Sequence, residues 1–358
     1  MARPVHRRVQ PPIRLRAVPP VCEQSDARAE SLDVAAATRA NSVSDPWSVD
    51  SSRMTAERKG RSRDLVRRSV LIVPTNTPRF VERAHTRGAD AIMLDLEDSI
   101  PSSEKTAARN ACASAISRVG QSGASVLVRV NKPFDLLIHD LDVAVAPGID
   151  AIATPKIESG REIAIIDALI AEREARRGLT PGSIAIAVSI ESALGVANLD
   201  AILGASGRIV TADIGIEDYC TDLGIEPTRD GREIVATLQE LIRAARRARV
   251  QPMGMAATLA NYGDIPALRE AIATAAAMGF RGASCIHPGQ VAHLNELFSP
   301  SSDAVARARA ILAVYAEAEA VGRGSATLDG KMIDAPVVER ARTLIARADR
   351  IAHAVALA

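Results

Sequence analysis

From residue 69 onward, short continuous apolar runs alternate with longer segments whose apolar residues recur at helical spacing. The predicted strands are Ser69–Val73, Ala91–Asp95, Val126–Val130 and Ala151–Thr154, then Ile184–Ile190, Arg208–Ala212, Gln251–Met255 and Ala283–Ile286. Most are unbroken Val, Ile, Leu and Ala runs. Such runs suit strands buried on both faces, as in a parallel sheet covered by helices. The seventh is the weakest, because it contains Pro252 and Gly254.

Helices are predicted between the strands, over Pro78–Arg87, Ser103–Val119, Ser159–Arg177, Glu233–Arg249 and Ile265–Met278. Thr77, Ser102 and Ser159 stand where N-caps belong, and Gly88, Gly178 and Gly279 where helices stop. Eight strand–helix units predict an α/β chain folded as a (β/α)8 TIM barrel. A doubly wound open sheet fits the same count, although neither GxGxxG nor GxxxxGK[ST] follows the first strand. Beyond the barrel, helices over Asp303–Val321 and Pro336–Val355 flank a Gly-rich connection, Gly322–Lys331. This tail reads as a C-terminal helical lid extension. The predicted domains are therefore a disordered extension (1–62), a barrel (63–300) and a lid segment (301–358).

Composition narrows the classes. Of the 358 residues, 47% are hydrophobic but only 2% aromatic, so the core must be aliphatic. A formal net charge of +1 gives no footprint for nucleic acid or an acidic membrane surface. No run of about 18 apolar residues exists to predict a membrane span. Cys22, Cys112, Cys220 and Cys285 are widely separated, which argues against a disulfide framework and fits a cytoplasmic setting. Residues 1–60 are rich in Arg, Pro, Ser and Ala without apolar periodicity. Three readings stand for them: a non-native extension ahead of a start at Met54, an ordinary disordered tail, or a targeting segment.

In a barrel, chemistry sits where the strands end and the βα loops converge. The predicted strand ends carry Asn76, then Asp95-Leu96-Glu97-Asp98, Arg129 and Asn131, Lys156, Glu191, Asp213 with Glu217-Asp218, and His287. Glu191 and Asp218, from neighbouring ends, form a carboxylate pair of the kind that holds Mg²⁺ together with waters and substrate oxygens. Taken singly, either carboxylate is explained as satisfying a helix N-terminus, and it is the pair, with Asp95 and Arg129 on nearby strands, that points to a metal. Arg129 lies inside an apolar strand, where a lone charge is costly. It reads as an ion-pair partner of Asp95 or Glu97 and, compatibly, as a fork for a substrate carboxylate or thioester oxygen. Lys105 and Arg109 read as structural cations balancing Asp98, and His287 and Cys285 as strand-end and buried residues.

These segments resemble the citrate lyase β-subunit-like family, within the HpcH/HpaI aldolase superfamily that includes malyl-CoA and citramalyl-CoA lyases. The resemblance rests on Arg68-Ser69, Val73-Pro74, Pro78-Arg79 and the run GADAIMLDLEDSIP at 88–101 with Lys105 and Arg109. It continues through Val128-Arg129-Val130-Asn131, Pro155-Lys156, Ile190-Glu191-Ser192-Ala193-Leu194-Gly195 and Glu217-Asp218 with Asp222-Leu223-Gly224. Ile286-His287-Pro288-Gly289-Gln290 and Asp329-Gly330-Lys331-Met332-Ile333-Asp334-Ala335-Pro336 complete it. Thr75 and Ser192 depart from the family pattern, which often has Gly and Thr there.

The resemblance implies a Mg²⁺-dependent carbon–carbon lyase acting on a 3-hydroxyacyl-CoA thioester of the malyl, citramalyl or citryl type. The products are acetyl-CoA or another acyl-CoA and a keto acid. It further implies that Glu191 and Asp218 hold the metal and that the protein is a homotrimer or hexamer. In that setting Arg129, oriented by Asp95, stabilises the enolate oxygen. Asp334, from a neighbouring subunit, is the general acid at the enolate carbon. Alternatively, Asp334 only caps the helix that follows it. Asn76 and Arg79 are candidate contacts for the CoA chain. Two other classes remain: a citrate lyase β subunit serving an acyl-carrier protein within a complex, and a non-catalytic CoA-binding regulator.

Overall fold

The structure, a computed structural model, describes residues 66–228, 230–257 and 263–357; the predicted N-terminal extension lies outside them. The strands are β1 (Ser69–Pro74), β2 (Ala91–Asp95), β3 (Ser125–Arg129), β4 (Ala151–Thr154), β5 (Ala185–Ile190), β6 (Ile209–Ile214), β7 (Gln251–Pro252) and β8 (Ala283–Cys285). All pair in parallel in one curled sheet, in the order β7-β6-β5-β4-β3-β2-β1-β8. The two edges meet through Gly254 N–H donating to Gly282 O at 2.8 Å and Arg281 N–H donating to Pro252 O at 3.1 Å. The arrangement is that of a TIM-like barrel, and it removes the open-sheet alternative. Pro252 ends β7 after two residues because it has no N–H for the ladder.

Around the sheet run α1 (Pro78–Ala84), α2 (Lys105–Val119), α3 (Phe134–Ala144), α4 (Gly160–Arg176), α5 (Ala193–Ala197), α6 (Leu199–Leu203), α7 (Ile216–Leu223), α8 (Val235–Ala248), α9 (Ile265–Met278) and α10 (Pro288–Leu297). Ser159 starts α4 as the predicted N-cap and does so in a capping box: its side chain accepts from Glu162 N–H, and Glu162 reaches back to the Ser159 N–H. The sequence reading missed α3, α5, α6, α7 and α10. The main core lies between sheet and helices and is aliphatic, as composition required. A smaller cluster fills the barrel interior and includes Ala91, Ala151, Ala153, Ala185 and Ala187. Methyl side chains at so many inward positions leave the interior partly hollow.

After α10 come α11 (Ser302–Ala320), an antiparallel hairpin of β9 (Ala326–Leu328) and β10 (Lys331–Ile333), and α12 (Ala335–Leu357). The connection read as Gly-rich is thus a hairpin, turning at Asp329 and Gly330, both with positive φ. Arg347 on α12 donates to Arg281 O and Phe298 O. Arg281 precedes β8 and Phe298 ends α10, so both mark the end of the barrel opposite the strand C-termini. At Arg347, therefore, the tail packs under the barrel rather than over its own mouth.

Candidate active site

At the C-terminal ends of β2 to β6 the charged residues converge around two cations. Arg129, closing β3, faces Asp95 at the end of β2, its register partner. The guanidinium donates from Nε and Nη2 to the two Asp95 oxygens, each at 2.7 Å. Asp95 is fully buried and also accepts from the Glu97 and Ser99 N–H groups. Burial alone would raise its pKa, but the Arg129 hydrogen bonds outweigh that and hold it below the usual carboxylate range. Arg129 is stabilised as a cation in return: burial opposes its charge, and Asp95 and Glu97 more than offset it. Its Nη1 lies 3.2 Å from Glu97 Oε2.

Lys156 is the second cation. It follows β4 with φ +57°, a left-handed conformation uncommon for a residue with a Cβ. Nζ lies 2.6 Å from Glu97 Oε1 and 2.8 Å from Asp98 Oδ2. The same atom lies 3.9 Å from Glu191 Oε2 and 4.0 Å from Asp218 Oδ1. Four carboxylates thus surround one ammonium. The sequence reading paired Asp98 with Lys105 and Arg109, and the structure corrects this. Lys105 donates to Leu96 O and Glu97 O, and Arg109 pairs with Asp140. Both remain structural, as predicted.

Glu191 follows β5, and Asp218 lies in the first turn of α7 after β6. Their approach depends on Gly215, where an added Cβ would stand 2.6 Å from Glu191 Cγ. Burial pushes Glu191 up to about 7, with Lys156 pulling it down and Asp218 adding to the rise. Among the described residues no three His, Cys, Asp or Glu side chains form a closed metal cage. Two oxygen ligands with a cation close to both still suit a hard ion that keeps most of its shell for water and substrate. The pair therefore fits Mg²⁺.

Glu191, Asp218 and Arg129 line a cavity of about 210 Å³ that runs down the barrel axis toward Arg67. A second cavity, about 780 Å³, opens beside it between Glu97, Asp98, Lys132, Phe134 and Lys156. Three predicted residues stand outside both. The Asn76 side chain donates to Glu104, and Arg79 is exposed with its guanidinium 4.7 Å above the Phe80 ring. Asp334 accepts at Oδ1 from Val337 N–H at 3.3 Å, capping α12. His287 caps α10 through Nδ1, and Cys285 is buried with its thiol pushed up to about 12. Lys156 and Asp213 were given no role from sequence; they sit at strand ends, which was the available signal.

The family described as HpcH/HpaI aldolase/citrate lyase matches residues 68–288. The chain belongs to the HpcH/HpaI aldolase/citrate lyase family. The family resemblance drawn from the motifs is thereby established, and with it the reaction class, a carbon–carbon lyase. Citrate lyase subunit beta from Haemophilus influenzae is 35% identical over 286 residues, 79% of this chain and 97% of that protein. An L-malyl-CoA/beta-methylmalyl-CoA lyase from Cereibacter sphaeroides is 30% identical over 305 residues, covering 79% and 95%. The crystal structure of CitE from Mycobacterium tuberculosis in complex with magnesium, acetoacetate and coenzyme A is similar in fold. Its TM-score is 0.65 at 26% identity, over 80% of this chain and 99% of that one. The charged cluster of this chain lies at the strand C-termini. Among its described residues no helix is long and apolar enough to cross a membrane.

Proposed function

We propose that this protein is a Mg²⁺-dependent lyase that cleaves, or forms, the bond between a keto acid and the α-carbon of an acyl-CoA. The observation that carries the reading is the convergence of Glu191 and Asp218 on Lys156, beside the Asp95–Arg129 pair at a cavity mouth. Relatives whose names specify citrate lyase and malyl-CoA lyase, and a similar structure holding magnesium, acetoacetate and coenzyme A, support it. Glu191 and Asp218 would hold the metal, which supplies a Lewis acid for the carbonyl end of the breaking bond.

The remaining steps belong to side chains. Arg129, fixed by Asp95, stabilises charge that develops on the thioester oxygen as the bond breaks. Its orientation is preset, so no reorganisation is needed at that moment. Asp334 exchanges the proton at the enolate carbon. Because Arg347 ties α12 beneath its own barrel, Asp334 serves the mouth of a neighbouring subunit in a homotrimer or hexamer, where the C-terminal segment acts as the lid. Half-buried Asn76 and exposed Arg79, beside β1, contact the CoA chain outside the cavity.

The test is turnover of malyl-, citramalyl- and citryl-CoA with Mg²⁺ by the wild type, Glu191→Gln and Asp218→Asn. Wild-type cleavage that both variants reduce by about 100-fold or more, with unchanged folding, is the expected result. Cleavage that ignores Mg²⁺ and both substitutions refutes the metal assignment. The identity with citrate lyase subunit beta favours a second reading, in which the thioester is carried by an acyl-carrier protein. Turnover restricted to acyl-carrier thioesters would select it.

A further inference from the structure

Below the carboxylate pair, the axial cavity descends between β5 and β6, where Ser189 and Asp213 are register partners. Thr211, Ala187 and Met253 complete this part of its wall. Asp213 has one oxygen, Oδ1, that is buried and has no hydrogen-bond partner. An orphaned carboxylate oxygen is costly, and one that faces a cavity is an acceptor awaiting a donor. The proposed lyase chemistry has no use for it.

We propose that Asp213 is a specificity residue: it admits short 2-keto monocarboxylates, with an uncharged or hydrogen-bond-donating substituent, and rejects 2-keto dicarboxylates. The inference rests on the lyase reading above, since it takes the keto acid's first carboxylate to be held at the Glu191–Asp218 mouth. The substituent at the keto carbon then points into the barrel, toward Asp213. A hydrogen, a methyl or a hydroxymethyl fits there, and a hydroxyl can donate to Oδ1.

A second carboxylate meets a different balance. Only two basic side chains line the described cavity, Arg67 and Arg129. Arg129 is matched by Asp95 and Glu97. Arg67 sits at the far end, donating to the Ser125 hydroxyl and facing Asp150. The new anion would lie next to Asp213, where the cation in reach, Arg129, is already engaged by Asp95 and Glu97, and like charges at short range disfavour joint ionisation. Burial pushes Asp213 up to about 6 even though a Ser189 hydrogen bond and the Arg129 charge pull it down, so the cavity solvates even one negative charge poorly.

The experiment uses the intact enzyme with Mg²⁺ and two probes that differ by one carboxylate, pyruvate and oxaloacetate. Calorimetric Kd values and condensation rates with acetyl-CoA are measured for the wild type, Asp213→Ser and the isosteric Asp213→Asn. The expected wild-type preference for pyruvate is about tenfold or more in both readouts, and it collapses by a similar factor in either variant. Equal or tighter oxaloacetate binding by the wild type overturns the proposal. So does a preference that survives in both folded variants. Mg²⁺-dependent, pyruvate-selective binding without carbon–carbon turnover upholds the selectivity and refutes the lyase reading alone. Binding of neither acid refutes both.

Discussion

Lys156 holds its ammonium 3.9 Å from Glu191 Oε2 in a backbone conformation that residues with a Cβ seldom adopt. Such local strain persists only where the surroundings over-determine it. Here the surroundings are Glu97, Asp98, Glu191 and Asp218. Burial works against the Lys156 charge, yet the hydrogen bonds to Asp98 and Glu97 raise its pKa above the ordinary ammonium range. The lysine thus neutralises a carboxylate cluster that would otherwise repel itself.

Lys156→Met should leave that cluster uncompensated. Lys156 is about a third exposed, so the loss is set below that of a fully buried pair, at about 1–3 kcal/mol in the metal-free protein. Millimolar Mg²⁺ should recover part of it, giving the variant a larger metal-induced rise in Tm than the wild type. Scanning calorimetry with EDTA and then with Mg²⁺ reads both effects. An equal rise in the two proteins would show that Lys156 and the metal do not share the cluster.

Asp95→Ala should cost about 3–5 kcal/mol, because it strands a buried guanidinium rather than removing a surface pair. The pH dependence has a definite sign. Asp95 is depressed in the folded state, so its contribution is present above the unfolded carboxylate pKa and is lost as pH falls through the depressed value. Urea titrations should therefore show a gap between wild type and variant that holds from pH 7 to about pH 4 and narrows from about pH 4 to about pH 2. A constant gap across that range would mean that the ion pair is not the source.

Much of this was legible in the chain. Strands buried on both faces announce themselves as unbroken apolar runs, and all eight begin within a residue of the predicted start. β7 starts as predicted but stops after two residues because Pro252 cuts the ladder, and the barrel closes there through Gly254 and Gly282 instead. Helix α3 was missed because it opens after Pro133 without a side-chain cap. Helix α7 was missed because Glu217 and Asp218 read as site carboxylates, although acidic first-turn residues also favour a helix N-terminus. The Glu191–Asp218 and Asp95–Arg129 pairings followed from neighbouring strand ends. The grip of Lys156 on Asp98 did not, since it depends on a left-handed backbone that no spacing rule encodes. Asp213 gave no sign of its orphaned oxygen, which depends on the small side chains across the barrel.

Asp213 predicts an opposite pH trend. Burial holds its folded pKa at about 6, above the ordinary aspartate range. Stability that it contributes is present below the unfolded value and is lost as pH rises through about 6. Asp213→Asn should therefore gain on the wild type with rising pH, by on the order of 3 kcal/mol at pH 8. Denaturation midpoints of the metal-free proteins at pH 5 and pH 8 check the sign. A gap that narrows with rising pH would place the Asp213 charge in a well-solvated site.

Asp334 offers a cap and, in the proposed function, a proton. As a cap it accepts from Val337 N–H at Oδ1, and its carbonyl accepts from Val338 N–H at 3.0 Å. Asn caps helices about as well as Asp but cannot exchange a proton at carbon in the same way. Asp334→Asn should thus keep its Tm within about 2 °C of the wild type while turnover falls by about 100-fold or more. The position of α12 sharpens the expectation. With Arg347 bound at the barrel end opposite the mouth, the proposed function has Asp334 act on another subunit. Mixing Asp334→Asn subunits with Glu191→Gln subunits, under conditions that permit exchange, then assembles some mouths with an intact metal pair and an intact carboxylate. Partial recovery of activity is expected in such mixtures. Verified mixed oligomers that stay inactive would argue against a shared site, and full turnover by Asp334→Asn alone would leave it the helix cap and nothing more.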